Sequence, residues 1–194
     1  MNRSPPSQLP STSPPSLFDL ALHCFASQLC RLLEERKKRP ILVHQLPVRI
    51  GDALFQALGH AQPIPAAVLP IFSPSFAALS KVELEMVTAT DLDFLKGHRL
   101  ERLALRRSEL ELGRLLRIAA RSPAPGWADS LRALDLSFSL PIISKLRMKS
   151  LCKAFPRLEM LKMRGCGLHN AHLAIITLHL HHLQSFQCFQ ITAD

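Results

Sequence analysis

Nine histidines and five cysteines are the side chains of this 194-residue chain best suited to hold a metal or act as nucleophiles. His169 and His172 are followed by His179, His181 and His182, and Cys166 with His169 reads C-x-x-H. Imidazole and thiolate at such spacing can bind zinc, but structural zinc modules draw four ligands from two spaced pairs. No C-x-x-C pair is present, so the zinc signal is weak. His179, His181 and His182 flank Leu180 on a predicted helix and are expected to face solvent. The cysteines, at 24, 30, 152, 166 and 188, are odd in number, and three fall on apolar-patterned positions. That pattern fits reduced thiols in an intracellular protein rather than a disulfide framework. Cys24 and Cys30 lie on an apolar helix, where burial raises a thiol's pKa and leaves it inert. No Walker loop, G-x-G-x-x-G, G-x-S-x-G or H-E-x-x-H occurs. The expectation is no catalysis, no metal and no cofactor.

Cys166 belongs to a spacing that recurs through the second half of the chain. Leu100, Leu103, Leu105, Ser108 and Leu110 read L-x-x-L-x-L-x-x-S-x-L. Leu131, Leu134, Leu136 and Ser139 repeat it, with Leu140 one place early. Leu158, Leu161, Met163, Cys166 and Leu168 repeat it again. Leu79, Val82 and Leu84 open the series, and Leu183, Phe186 and Cys188 end it. The starts at 79, 100, 131, 158 and 183 lie 21, 31, 27 and 25 residues apart, enough for a strand and a helical or irregular return. Leu112, Leu115, Leu116 and Ile118 mark one return helix. Leu146, Leu151, Cys152 and Phe155 mark another, and Leu173, Ile176 and Leu180 a third. The spacing resembles leucine-rich repeats. The resemblance implies an α/β solenoid of parallel strands that presents a binding surface rather than an active site. Ser108, Ser139 and Cys166 would hydrogen-bond the backbone of neighbouring turns, as buried polar groups must.

The rest of the chain divides by composition. Residues 1–15 are rich in Pro and Ser and are expected to be a disordered leader without a secretory h-region. Residues 16–60 form a helical cap. Ser16 with Asp19 resembles a capping box, and Leu17, Leu20, Ala21, Cys24, Phe25, Leu29, Leu32 and Leu33 form one apolar face. Cations at 36–39 suit a helix C-terminus, and Pro40 ends the helix. A second helix is predicted between Pro47 and Gly59, burying Ile50, Leu54, Phe55 and Leu58. Residues 61–78 are a Pro-rich connector, and 79–194 the repeats, about five, with no polar capping helix after the last. That suggests a truncated isoform, a fragment, or an end closed by a partner. No apolar run is long enough to span a membrane, and a cytoplasmic or nuclear location is expected.

The cap carries a second resemblance. Ser16-Leu17, Ala21 and Phe25 read S-L-x-x-x-A-x-x-x-F, with the three apolar residues four apart on one helical stripe. Leu46, Pro47, Ile50 and Leu54 follow as φ-P-x-x-φ-x-x-x-φ. Together they resemble a VHL box, an Elongin BC box followed by a cullin-2 box, ahead of leucine-rich repeats as in the Zyg-eleven/Zer-one substrate receptors of cullin-RING ubiquitin ligases. Where that family's first box has Cys, this chain has Ala21. The resemblance implies Ser16, Leu17, Ala21 and Phe25 at Elongin C, and Leu46, Pro47, Ile50 and Leu54 contacting or orienting cullin-2. The partners implied are Elongin B/C, cullin-2 and an unidentified protein substrate. The alternative is a free-standing scaffold or inhibitor whose helices only cap the repeats.

In an L-x-x-L-x-L strand the residues between the leucines point away from the core. These line the concave face: Lys81, Glu83 and Glu85; Arg102, Ala104 and Arg106; Ala133, Asp135 and Ser137; Met160, Lys162 and Arg164; Ser185, Gln187 and Phe189. Arg102, Arg106, Asp135, Lys162 and Arg164 are the expected contacts for a charged protein or peptide. The formal net charge of +9 also suits nucleic acid. That class is not expected, because Tyr is absent, Trp single, and Glu83, Glu85, Glu109 and Glu111 interrupt any basic stripe.

Overall fold

The computed structural model describes residues 16–36, 46–61, 64, 68–87, 89–121, 126–140, 142–189 and 191–192. The leader at 1–15, the segment 37–45 with Pro40, and part of the connector lie outside them. Helices α1 (Leu17–Arg36) and α2 (Val48–Ala61) precede a strand–return series. Strands β1 (Lys81–Glu85), β2 (Arg102–Arg106), β3 (Ala133–Asp135), β4 (Met160–Lys162) and β6 (Ser185–Gln187) form one sheet, ordered as in the chain. Every neighbouring pair is parallel. A two-residue β5 (Leu168–His169) pairs in parallel with β7 (Ile191–Thr192). The returns are a 3-10 helix at Ala89–Leu95, α3 (Leu112–Arg121) with the short α4 (Trp127–Ser130), α5 (Lys145–Ala154) and α6 (Asn170–His179). The 3-10 helix packs on α3, α3 on α5 and α5 on α6. This is an α/β fold with a parallel sheet.

The register follows the leucine spacing. Val82, Leu103, Leu134, Leu161 and Phe186 are direct partners across the five strands. Two residues on, Leu84, Leu105, Leu136 and Met163 are buried, as are Leu79, Leu100, Leu131 and Leu158 before each strand. Period-two alternation turns these rows toward the returns, where they make the core. Just before each strand one carbonyl accepts two amides of the next turn. Ser80 O takes Glu101 N–H and Arg102 N–H, Glu101 O takes Arg132 and Ala133, Arg132 O takes Glu159 and Met160, and Glu159 O takes Gln184 and Ser185.

After β1, β2, β3 and β4 the chain enters the left-handed region at Met86 (φ 55°), Arg107 (φ 50°), Phe138 (φ 60°) and Gly165 (φ 67°) respectively. Three of the four carry a side chain in a conformation that costs an L-residue about 1 kcal/mol or more. The turn geometry is therefore imposed by the sheet, not by a glycine. After Arg107, Phe138 and Gly165 the next position holds a small polar or thiol group; after Met86 it holds Val87. Ser108 Oγ accepts from Val87 N–H (3.1 Å) and donates to Arg106 O (2.9 Å). Ser139 Oγ accepts from Ser108 N–H (3.1 Å) and donates to Leu105 O. Cys166 Sγ donates to Leu136 O at 3.3 Å. These groups tie successive turns together.

The N-terminal helices close the β1 end. The Leu46 N–H donates to Phe76 O (2.7 Å) and Leu46 bridges Ala77 in parallel. The α2 backbone lies so close to the chain before β1 that a Cβ on Gly51 would stand 2.6 Å from Ala78 O. The connector is packed where it is described: Leu69, Ile71 and Phe72 are buried. Phe72 meets Phe55 edge-on at 5.0 Å between centroids, and Phe94 stacks on Phe55 at 6.0 Å.

Several expectations are corrected. Gly59 lies inside α2, not past its end. The inward face of α2 is Gly51, Leu54, Phe55 and Leu58, and Ile50 is exposed because the contact at Gly51 sets the helix's rotation. Leu17, Leu20, Ala21, Cys24 and Phe25 face outward; among its described side chains α1 meets the core through Leu22 and Ala26. Leu146 is exposed rather than part of the inner face of α5.

Candidate interaction surfaces

Two surfaces carry the residues singled out in the sequence. On the first, α1 lies against α2 with Ala26 buried and Leu22 half-buried. The opposite side is apolar and bare: Leu17 is 84% exposed, Phe25 49%, and Phe18 and Leu20 lie between these values. Ser16 and Ala21 share that exposed side. The Asp19 side chain lies outside the described residues. Pro47, just before α2, and Val48 and Ile50 on it are also exposed. Leu46 is half-buried by its pairing with Ala77. Leu54, with 1% exposure, is a core residue. It cannot touch a partner, and only its orienting role remains. Phe18 and Leu20, the latter predicted in the apolar face of α1 but not as a contact, add to its exposed apolar side, and Val48 is exposed on α2. Their apolar character was visible in the sequence; the rotation of the helices was not.

The second surface is the sheet face turned away from the returns. Register places Glu83, Ala104, Asp135, Lys162 and Gln187 side by side. Arg106 crosses this row, with Nε 2.8 Å from Asp135 Oδ2 and its other nitrogens 3.5 Å from Glu83 and 3.9 Å from Glu85. Ala104, predicted to line the face openly, lies buried beside this bridge, as do Asp135 and Ser137. Asp135 is therefore not an accessible contact but the anchor of Arg106. Burial pushes the Asp135 carboxyl up, but hydrogen bonds from Ser137 and Arg106 outweigh it and hold it below 3.8. The same bond, with the nearby carboxylates, raises Arg106 above its ordinary value. Arg102 and Lys81 stand exposed beside them.

Toward β6 the face changes sign. The Arg164 guanidinium donates to Gln187 Oε1 (2.7 Å) and lies over the Phe189 ring at 4.9 Å. Lys162 and Arg107 flank it, and the exposed Phe138 ring closes the depression, whose volume is about 330 Å³. Among the described residues no carboxylate pairs with Arg107, Lys162 or Arg164. Arg107 and Phe138 were not singled out. Their role follows from the left-handed turn after each strand, which no local residue preference announces.

The described histidines and cysteines are scattered. Burial pushes the Cys152 thiol up to about 11 and raises Cys166 as well, so both stay protonated and unreactive near neutrality. Cys24 is exposed, contrary to expectation, and Cys188 half-buried. The Cys30 side chain lies outside the described residues. His172 is buried and His169 half-buried, and His172 Nδ1 accepts from the His169 N–H at 2.9 Å. Among the described residues no three His, Cys, Asp or Glu side chains gather as a metal site. No described helix is long and apolar enough to cross a membrane. No protein-family model, curated protein or solved structure matches the chain.

Proposed function

We propose that this chain is a non-catalytic interaction protein of the leucine-rich-repeat type, acting as substrate-recognition adaptor of an Elongin B/C–cullin-2 ubiquitin ligase. The observation that carries the reading is the division of α1 into two faces, with Leu22 and Ala26 inward and Ser16, Leu17, Ala21 and Phe25 outward. A helix that served only as a cap would turn its largest apolar side chains to the core. Among the described side chains of α1 the large apolar Leu17, Phe18, Leu20 and Phe25 face water, and exposed apolar patches mark docking sites. Small Ala21 between Leu17 and Phe25 leaves a notch between two anchors. The in-register parallel strands, of which β2, β3 and β4 are each followed by a left-handed residue and a buried Ser or Cys bonded to the neighbouring turn, support the repeat assignment.

The mechanism is proximity. The α1–α2 pair docks on the ligase, and the outer sheet face holds a target where the ubiquitin-loaded enzyme can reach it. Such a protein works in the cytoplasm or nucleus. A second reading, a free-standing scaffold whose helices only cap the sheet, is favoured by the bonds from Asp52 of α2 to Ser80 and Lys81 at the head of β1. The two share one geometry, because the inward and outward faces of the helices are separate.

Co-precipitation of Elongin B/C and cullin-2 with the intact chain separates them. Leu17→Ser with Ala21→Phe should abolish Elongin capture, while Pro47→Ala with Ile50→Ser should release cullin-2 alone. A folded wild-type chain that retains neither partner would leave only the scaffold reading.

A further inference from the structure

We infer that the β4–β6 side of the outer sheet face binds an acidic peptide segment, seating a carboxylate between Arg164 and Lys162 and a neighbouring apolar side chain on Phe138. The inference rests on the reading of this face as the target-binding surface and names the chemistry of the target.

Two kinds of cation share the face. Arg106 is consumed internally by Asp135, Glu83 and Glu85. Lys162, Arg164 and Arg107 line a depression whose wall also carries Arg106 with its partners Glu85 and Asp135, and none of the three pairs with a carboxylate among the described residues. Arg164 is also oriented in advance. Its guanidinium is held by the neutral Gln187 amide and the Phe189 ring, contacts that fix its direction and leave its charge uncompensated. A guanidinium so held gives up little rotamer entropy when it meets a carboxylate.

The apolar part is equally fixed. Phe138 sits at φ 60° and is 53% exposed, with its ring directly over Gly165, whose lack of a Cβ makes room for it. An exposed aromatic in a strained backbone position, beside uncompensated cations, suits a ligand that pairs negative charge with apolar surface. A nucleic acid would offer both, through phosphate and base. A continuous phosphate chain along this face would, however, run over Glu83, Glu85 and Asp135. A short peptide can place one acidic group at Arg164 and Lys162, on the side of the depression away from Glu83, while the Glu85 and Asp135 carboxylates in its wall are held by Arg106; in extended form it matches the rise of the strands beneath.

The test is fluorescence anisotropy on the intact chain. The labelled probe is Gly-Glu-Glu-Leu-Glu-Glu-Gly, compared with its all-Gln and all-Lys analogues and with a uridine decanucleotide. The acidic peptide should bind, weaken with added salt, and bind at least tenfold more tightly than either analogue. Arg164→Gln with Lys162→Gln should lose at least tenfold. Phe138→Asn, which keeps a residue tolerant of positive φ, should lose several-fold at an unchanged thermal midpoint. Absent binding, equal binding of the Gln analogue, preference for the Lys analogue, or insensitivity to all these substitutions overturns the inference. Tighter binding of the oligonucleotide overturns it in favour of nucleic acid. Elongin capture is measured on the same samples. Capture kept while peptide binding is absent locates the failure in this inference; capture absent while peptide binding holds locates it in the ligase reading.

Discussion

Asp52 does for Ser80 what a strand would do. Its Oδ1 accepts the Ser80 N–H at 2.8 Å and the Lys81 N–H at 3.1 Å, while Oδ2 takes the Ser80 hydroxyl. In each later turn the equivalent two amides are taken by one carbonyl of the turn before, as Ser80 O takes Glu101 and Arg102 at 2.8 and 3.0 Å. The carboxylate on α2 thus imitates the carbonyl of a preceding turn, and the two amides at the head of the sheet's first strand are capped by a single side chain.

Removing that carboxylate should loosen the whole β1 end. Asp52→Ala leaves two amides without their acceptor and should cost about 2 kcal/mol or more, since bonds to charged groups are the stronger ones. Asp52→Asn keeps one oxygen able to accept both amides and should cost less. Urea unfolding midpoints of the three proteins should therefore fall in the order wild type, Asn, Ala. An Ala variant as stable as wild type would show that the bonds contribute nothing to holding α2 in place.

The leucine spacing made the strands legible because each buried row repeats a local pattern that survives without knowledge of the partner. The buried Ser and Cys positions were legible for the same reason. Asp52 and His98 were not. Their backbone partners lie 28 and 19 residues away, and a single Asp or His carries no periodic mark. The α1 surface was half legible: the stripe Leu17, Ala21 and Phe25 is plain in the sequence, but apolar residues surround this helix, so pattern alone could not say which side met the core. On α2 one contact decided the matter. Gly51 against Ala78 O turns Leu54 inward and Ile50 outward, although both fit the same apolar period.

His98 should make stability depend on pH. It is buried, its Nδ1 accepts from the Leu79 N–H at 3.2 Å, and its Nε2 pairs with Phe72 O at 2.7 Å. Only the neutral ring, protonated at Nε2, satisfies both. Burial, outweighing its hydrogen bonds to carbonyls, lowers its pKa below 6.5. The unfolded chain therefore binds the proton first. Stability from this group is complete above pH 6.5 and declines as pH falls toward the lowered folded value, by up to about 1.4 kcal/mol per pH unit. Thermal midpoints between pH 7.5 and 5 should fall more steeply for wild type than for His98→Gln, which can keep an acceptor and a donor but does not titrate. Parallel profiles would remove His98 from the acid response.

Gly165 couples the left-handed turn to the Phe138 platform. A Cβ there would lie 2.5 Å from Phe138 Cδ1, and φ is 67°. Gly165→Ala should cost roughly 1–2 kcal/mol from the backbone alone, and more while the ring stands in the way. In a Phe138→Ala background the second part should vanish. A double-mutant cycle by urea unfolding isolates it, and an interaction energy near zero would mean the ring swings aside freely.

Ser139 is the strongest test of how the turns are joined. Its hydroxyl accepts the Ser108 N–H at 3.1 Å and donates to Leu105 O, and the residue is buried. Ser139→Ala leaves that donor and reduces that acceptor's bonding away from water, at about 1–3 kcal/mol. Position 166 shows what the site tolerates: a thiol there donates to Leu136 O in the equivalent way, at 3.3 Å. Ser139→Cys should therefore recover part of what Ala loses, although sulfur is the weaker donor and acceptor. Position 87, the first of the series, needs no such group. Val87 has no preceding turn to reach, and its own N–H is served from Ser108 Oγ at 3.1 Å. Val87→Ser should accordingly gain nothing in unfolding midpoint and lose buried apolar area, whereas Ser108→Ala and Ser139→Ala should both be destabilising. Equal effects at all three positions would mean that size, not the bond between turns, is what these sites require.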